Sequence, residues 1–134
     1  MAQDITLDFG ATSPFVIALD NVPDGDPGVP GPVDLGNPAP ISLGIHVNLV
    51  GTAGGTDYVE WYVNWSEDNV AFTDNGNMQL IHSTKLNEAN AVEDHFEVAV
   101  FARYMKLTAV NNSGAPMGAS GNSAEYWEIA VNQA

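Results

Sequence analysis

The sequence has no cysteine and very few basic residues. Without cysteine the chain can form no disulfide framework, and it fits synthesis in a reducing cytoplasm. Lysine and arginine total 3 against 17 aspartates and glutamates, which gives a formal net charge of −14 at pH 7. The negative electrostatic field of so acidic a chain repels phosphate backbones and anionic membranes. We therefore expect neither nucleic acid nor a membrane as a partner.

Long apolar runs are also missing. No stretch reaches the roughly 18 apolar residues of a membrane-spanning helix, and the opening residues 1–4 show no basic segment leading into an apolar one. These features predict a protein without a secretory signal. A chain of 134 residues and 14.2 kDa is long enough to bury its own core. We predict a single domain over residues 1–134.

Catalytic motifs are lacking as well. The chain has no Gly-x-Ser-x-Gly elbow, and His46, His82 and His95 lie in alternating segments without a shared short motif. These histidines could form a zinc site only if the fold brought them together. The acids offer many pairs, yet a glycoside hydrolase normally needs a longer chain to build its cleft. We therefore predict that the protein is not an enzyme.

One long segment, residues 57–66, predicts the centre of the fold. Its apolar side chains recur at every second position, which is typical of a strand with one buried face. That face carries Val59, Trp61, Val63 and Trp65. The other face carries Tyr58, Glu60, Tyr62 and Asn64. Because an indole buries a large area, the two tryptophans should lie in the core.

Other alternating segments predict about eight strands separated by Gly and Asn turns. They are residues 5–9, 14–20, 41–50, 57–66, 78–84, 95–101, 103–110 and 124–132. In residues 41–50 we expect Ile41 to face inward, and we expect this strand to pair with residues 57–66. The pattern indicates an all-β fold, an antiparallel β-sandwich with jelly-roll or Greek-key connections. A barrel is the alternative.

Residues 23–40 interrupt this pattern. They hold six of the eight prolines and four glycines, so neither a helix nor a central strand can pass through them. We predict an exposed Pro/Gly-rich arm, because a stiff segment loses little entropy when it docks on a partner. The residues expected to contact the partner are Pro27, Val29, Pro30 and Pro32. The alternative is a simple crossover between sheets.

Loop carboxylates allow a calcium site. Asp20, Asp24 and Asp26 cluster in and beside the arm with Asp34, and a second cluster contains Glu67, Asp68 and Asp74. Neither cluster matches the twelve-residue calcium loop, and loop aspartates also serve as turn formers. The predicted ligands are Asp20, Asp24 and Asp26, with calcium as an optional cofactor.

Exposed tyrosines allow a sugar-binding surface. Tyr58 and Tyr62 lie on the outer face of the central strand, and Tyr104 and Tyr126 are candidates for exposure. The alternative is that other elements, or a neighbouring subunit, cover this face.

From residue 41 onward the order of segments is familiar. A strand ends in Trp65-Ser66-Glu67-Asp68-Asn69, a turn contains Asp74-Asn75-Gly76, and the strand Phe96–Phe101 precedes residues 102–115 with their Asn111-Asn112-Ser113-Gly114 turn. This order resembles small tailed-bacteriophage virion proteins. The segment 102–107 is also similar to discoidin-type galactose-binding sandwiches, which often carry cysteines that this chain lacks.

The phage resemblance implies a structural protein of the particle, and we favour a head decoration (cement) protein. Such a protein binds the major capsid protein on the capsid surface, is made in the host cytoplasm, and is often a homotrimer. Tyr58, Tyr62 and Phe101 are the contact residues that we expect. The alternatives are a carbohydrate-binding β-sandwich module and a tail component.

Overall fold

The computed structural model describes residues 5–72 and 78–133, so the predicted turn at Asp74, Asn75 and Gly76 lies outside it. Within these ranges the chain contains strands and no helix. Eleven strands form there, four of them only two residues long. They are β1 Ile5–Phe9, β2 Ser13–Pro14, β3 Ile17–Ala18, β4 Val29–Pro30, β5 Val33–Asp34, β6 Ser42–Val50, β7 Tyr58–Ser66, β8 Gln79–Lys85, β9 Ala91–Ala99, β10 Tyr104–Asn112 and β11 Ser123–Gln133.

The strands form three antiparallel sheets. One has the order β1-β11-β6-β9, with β2 also paired to β11; the second has the order β5-β10-β7-β8, and the third is the β3-β4 pair. Buried apolar side chains of the two larger sheets belong to one core cluster. This arrangement confirms the all-β prediction and is consistent with a β-sandwich. In the described part of the chain, no helix has the length and apolar character that crossing a bilayer requires.

The central strand is β7, as predicted. Val59, Trp61 and Val63 are at most 1% exposed. Trp65 is half-buried and lies at the rim of the core. From the other large sheet, β6 contributes Leu43, Ile45, Val47 and Leu49, all fully buried. Ile41 was predicted to face inward, but it is 70% exposed because β6 begins one residue later.

The predicted pairing of β6 with β7 is wrong. β6 pairs with β9 and β11, whereas β7 pairs with β8 and β10, so the two strands lie in different sheets. Alternation identifies which face of each strand is buried, but it does not identify the hydrogen-bonded neighbour. Residues 51–57 therefore carry the chain across the core from one sheet to the other.

One shorter predicted strand also differs from its prediction. Residues 14–20 do not form one continuous strand. They contain the end of β2 and all of β3, each only two residues long. Phe15 lies between these strands and Leu19 follows them, and both side chains are buried. After β8, a reverse turn closed by Asn87 and Asn90 leads into β9.

The backbone of the Pro/Gly-rich arm is hydrogen-bonded to β10. The amide of Gly25 donates to the carbonyl of Asn111 over 2.6 Å, and the amide of Gly28 donates to that of Ala109 over 2.7 Å. Farther along, β5 pairs with the beginning of β10. The arm is therefore the edge of the four-stranded sheet, a position where proline is tolerated because one side needs no N–H donor. Its prolines Pro27 and Pro32 stay exposed.

Candidate functional site

A group of histidines and carboxylates lies on the outer side of the five-stranded sheet. In the strand register, His46 of β6 stands opposite His95 of β9 and opposite Glu125 of β11. Residues directly opposite each other point to the same side of a sheet, and Glu93 lies two positions before His95. We call the surface formed by His46, Glu93, His95 and Glu125 the histidine face.

Both ring nitrogens of His46 contact carboxylates. Nδ1 is 2.8 Å from an oxygen of Glu125, and Nε2 is 2.9 Å from an oxygen of Glu93. Hydrogen bonding to Glu125 raises the pKa of His46 above its ordinary value, against the opposing effect of burial, and Glu93 adds to the rise. In the protonated state each N–H donates to one carboxylate. The His95 ring stacks on that of His46, with 4.5 Å between the ring centres.

Three members of the histidine face can also act as metal ligands. His46, Glu93 and His95 each offer one ligand atom, and these atoms all lie within 4.8 Å of one another. Within residues 5–72 and 78–133, no other three His, Cys, Asp or Glu side chains are placed in this way. The sequence did not predict it, because the residues become neighbours only through the pairing of β6 with β9. The available signal was the outward position of His46 in its alternating segment.

Trp127 extends this outer surface. It stands opposite Gly44 in the pairing of β11 with β6, and its half-buried indole covers that glycine. Its ring centre is 6.4 Å from that of His95, in an edge-on contact. Tyr126, a candidate for exposure, is instead half-buried on the inner side, where its ring lies 4.7 Å from that of Phe15. Burial raises the pKa of the Tyr126 hydroxyl.

Exposed apolar side chains gather at one end of the two sheets. Phe101 is 68% exposed and Ile41 70%, and both line one groove with Ala102 and with the charged residues Glu67 and Arg103. The edge of the Phe101 ring meets Trp65 at 5.8 Å between ring centres. A second groove beside it is lined by Trp65, Phe72 and Ala102. We call Ile41, Trp65, Phe72 and Phe101 the apolar end.

The predicted contact residues do not form one surface. Thr108 stands opposite Tyr62, and above Thr108 lies a small groove lined by Pro27, Val29 and Pro30 of the arm. The structure thus brings the arm to the outer face that also carries Tyr62, whose hydroxyl donates to Glu60 over 2.5 Å.

Of the other predicted contacts, Tyr58 lies on the same outer face of β7 as Tyr62, whereas Phe101 belongs to the apolar end. Tyr58, 45% exposed, begins β7, whereas Trp65 and its neighbour Phe101 lie at the far end of that strand.

The predicted calcium ligands have individual roles. An oxygen of Asp20 accepts from the side chain of Asn122 over 3.0 Å, and one of Asp24 accepts from the amide of Gly114 over 2.9 Å. The carbonyl of Asp26 accepts from the amide of Asn111. None of the three belongs to the ligand group found in the described ranges. The contacts of Asp20 and Asp24 hold loops that are far apart in the sequence against each other.

Two comparisons with known proteins give no match. No protein-family model matches the chain, and no curated protein matches it at a significant level. Function must therefore be inferred from the geometry of the apolar end and of the histidine face.

Proposed function

We propose that the chain is a structural protein of a bacteriophage particle, a decoration protein that binds the major capsid protein on the head surface. The observation that carries this proposal is the apolar end. Phe101 and Ile41 are each about two thirds exposed and line one groove, and the ring of Phe101 contacts the half-buried Trp65. Contiguous exposed apolar groups of this kind mark protein interaction sites, and buried aromatic side chains are enriched at the centres of such interfaces.

The order of strand pairing supports a jelly roll. β7 pairs with β8, and three further pairs enclose them in turn: β6 with β9, β5 with β10, and β1 with β11. Such a nested series is one long hairpin. Rolling it up brings β6 beside β11 and β7 beside β10, and both pairs are present. Jelly rolls occur in viral capsid and lectin domains, so this topology is in keeping with a capsid role.

The few cations favour an apolar contact over an ionic one. Arg103 makes a bidentate bond with Asp34, Lys106 lies 4.3 Å from the centre of the Phe72 ring, and Lys85 lies over Tyr58. Each is engaged within the chain. The acidic remainder of the surface would oppose non-specific association between copies, because like charges repel.

In this proposal the arm serves self-association. Val29 is 73% exposed and lines the groove over Thr108 with Pro27 and Pro30. A second copy placed there would cover the outer face of the four-stranded sheet, including Tyr62. Homotrimers that sit on lattice threefold positions would use one such contact per neighbouring pair.

Co-sedimentation with capsid shells tests the proposal. Empty shells of the virus whose genome encodes the chain are incubated with wild type, with Phe101→Ser, and with Leu7→Ser as a matched control. Leu7 is also exposed, at 55%, but lies on β1 of the other sheet. Saturable binding by wild type and Leu7→Ser, weakened at least about tenfold by Phe101→Ser, is expected for a hot-spot aromatic residue. Absence of wild-type binding would overturn the proposal.

Trp127 favours a second candidate, a carbohydrate-binding module. Its indole lies on Gly44 at the surface, beside Glu125 and His95, and sugar rings stack on such aromatic plates. A glycan array probed with wild type and Trp127→Ala distinguishes the two functions. Glycan binding that is lost in Trp127→Ala, together with no binding to shells, would make the module the better account.

A further inference from the structure

We propose that the histidine face binds one divalent transition-metal ion of the zinc class through His46 Nε2, the Glu93 carboxylate and His95. This inference goes beyond the decoration role and does not depend on it. The three ligand atoms lie within 4.8 Å of one another on two adjacent, paired strands.

The donor set selects the class of metal. Two imidazoles and one carboxylate are ligands that zinc and its neighbours accept in three-residue sites, where water fills the fourth position. Calcium instead takes six to eight oxygen ligands, and this group supplies only one carboxylate. The histidine face therefore fits a transition metal, whereas calcium was predicted for the aspartates of the arm.

Glu125 supplies the support that a metal-bound histidine needs. It contacts Nδ1 of His46 at 2.8 Å, which fixes the ring and leaves Nε2 directed toward Glu93. Ligating histidines commonly bond a carboxylate through their other nitrogen, and this bond sets the tautomer. The His46 side chain is only 16% exposed, so its orientation is held by its surroundings.

Metal binding requires two adjustments of this geometry. His46 Nε2 and the Glu93 oxygen are 2.9 Å apart, whereas two ligands of a tetrahedral zinc lie about 3.3 Å apart. The His95 ring is nearly parallel to that of His46, at 19°, and a metal lies in the plane of each imidazole that binds it. His95 must therefore turn about its side-chain bonds. It is exposed, and its contact with Trp127 is edge-on.

Replacing His95 distinguishes a metal site from a purely structural ion pair. The contacts of His46 with Glu93 and Glu125 are complete without His95. Removing His95 therefore leaves that ion pair in place but removes one of the three ligands. A metal site loses affinity in this variant, whereas an ion pair alone gives no metal binding in any variant.

The test is titration of the purified, metal-free chain with Co²⁺, followed by visible absorption, and with Zn²⁺, followed by calorimetry. We expect one ion per chain, weakened at least about tenfold by His95→Gln and between about 10- and 100-fold by Glu125→Gln, which removes only the supporting carboxylate. His82→Gln is the matched control, because His82 bonds Asp94 at 2.7 Å and is outside the ligand group.

Circular dichroism of each variant separates loss of the site from loss of the fold. The proposal is overturned if wild type binds neither ion, or if folded His95→Gln binds as tightly as wild type. Equal weakening by His82→Gln and His95→Gln would likewise contradict it, because His82 lies outside the ligand group.

Discussion

The indole of Trp127 lies so close to Gly44 that a Cβ on that glycine would stand 2.1 Å from Cε2 of the ring. Gly44 is in the middle of β6, where a side chain would normally cover the sheet. The missing side chain lets the tryptophan lie against the backbone instead. Gly44 thus determines the position of the largest side chain on the outer surface of this sheet.

Gly44→Ala should therefore destabilise the fold. The new methyl group would overlap the indole and displace it, and overpacking of this kind costs about 1–3 kcal/mol of unfolding free energy. Urea denaturation measures the change. Gly10→Ala is the control, since its Cβ would meet only ordinary contacts at 3.5 Å or more. Equal stability of Gly44→Ala and wild type would contradict the close packing.

Asn111 should be far more sensitive than its neighbour Asn112. The buried Asn111 side chain donates to the carbonyls of Val22 and Ala115 and accepts from the amide and hydroxyl of Ser113. Asn111→Ala leaves buried groups without partners, which should cost about 3 kcal/mol of unfolding free energy. Exposed Asn112 makes one side-chain bond, to Glu60. Asn112→Ala should change stability by less than about 1 kcal/mol in the same denaturation experiment.

Thr84 links the two large sheets through its hydroxyl, and we expect its replacement to destabilise the fold. Its hydroxyl accepts from the indole N–H of Trp61 over 3.0 Å and donates to Asp94 over 2.8 Å. Thr84→Val keeps the shape but removes both bonds in a buried place, so we expect a loss of about 1–3 kcal/mol in unfolding free energy. The control is Thr52→Val, which removes a single hydrogen bond, to the carbonyl of Pro116, in a more exposed place. Comparable effects of the two substitutions would refute the special role of Thr84.

The pair formed by Asp34 and Arg103 should show in a pH titration. Hydrogen bonds from Arg103 and from the amide of Gly36 lower the pKa of Asp34 from 3.8 to about 2. Since the folded pKa is depressed, the pair stabilises the fold above pH 4 and loses this effect as the pH falls toward 2.

Arg103→Gln should raise the pKa of Asp34 toward 3.8 without reaching it, because the hydrogen bond from the Gly36 amide remains. NMR of the Asp34 carboxyl carbon measures this directly. An unchanged midpoint in Arg103→Gln would show that the guanidinium does not hold this carboxylate.

The sequence was informative where side chains carry the pattern. Alternation predicted β7 to within one residue and identified Val59, Trp61 and Val63 as buried, because burial repeats with the period of the strand. It did not predict that the arm is the edge of a sheet. Those bonds use main-chain atoms of Gly25 and Gly28, which leave no trace in residue type.

The candidate sites show the same limit. Phe101 was predicted as a contact and is exposed, but its partners Ile41 and Trp65 at the apolar end were both assigned to the buried face. The histidine face needs the pairing of β6 with both β9 and β11, over separations of 47 and 79 residues. Nothing local in the sequence specifies that pairing. The contact between His46 and Glu93 could therefore not be predicted from the sequence.

The most direct test of the decoration role is a cryo-electron microscopy reconstruction of capsid shells saturated with the protein. We expect added density at repeated lattice positions on the outer surface, with the apolar end around Phe101 turned toward the major capsid protein. Shells that look the same with and without the protein would contradict it.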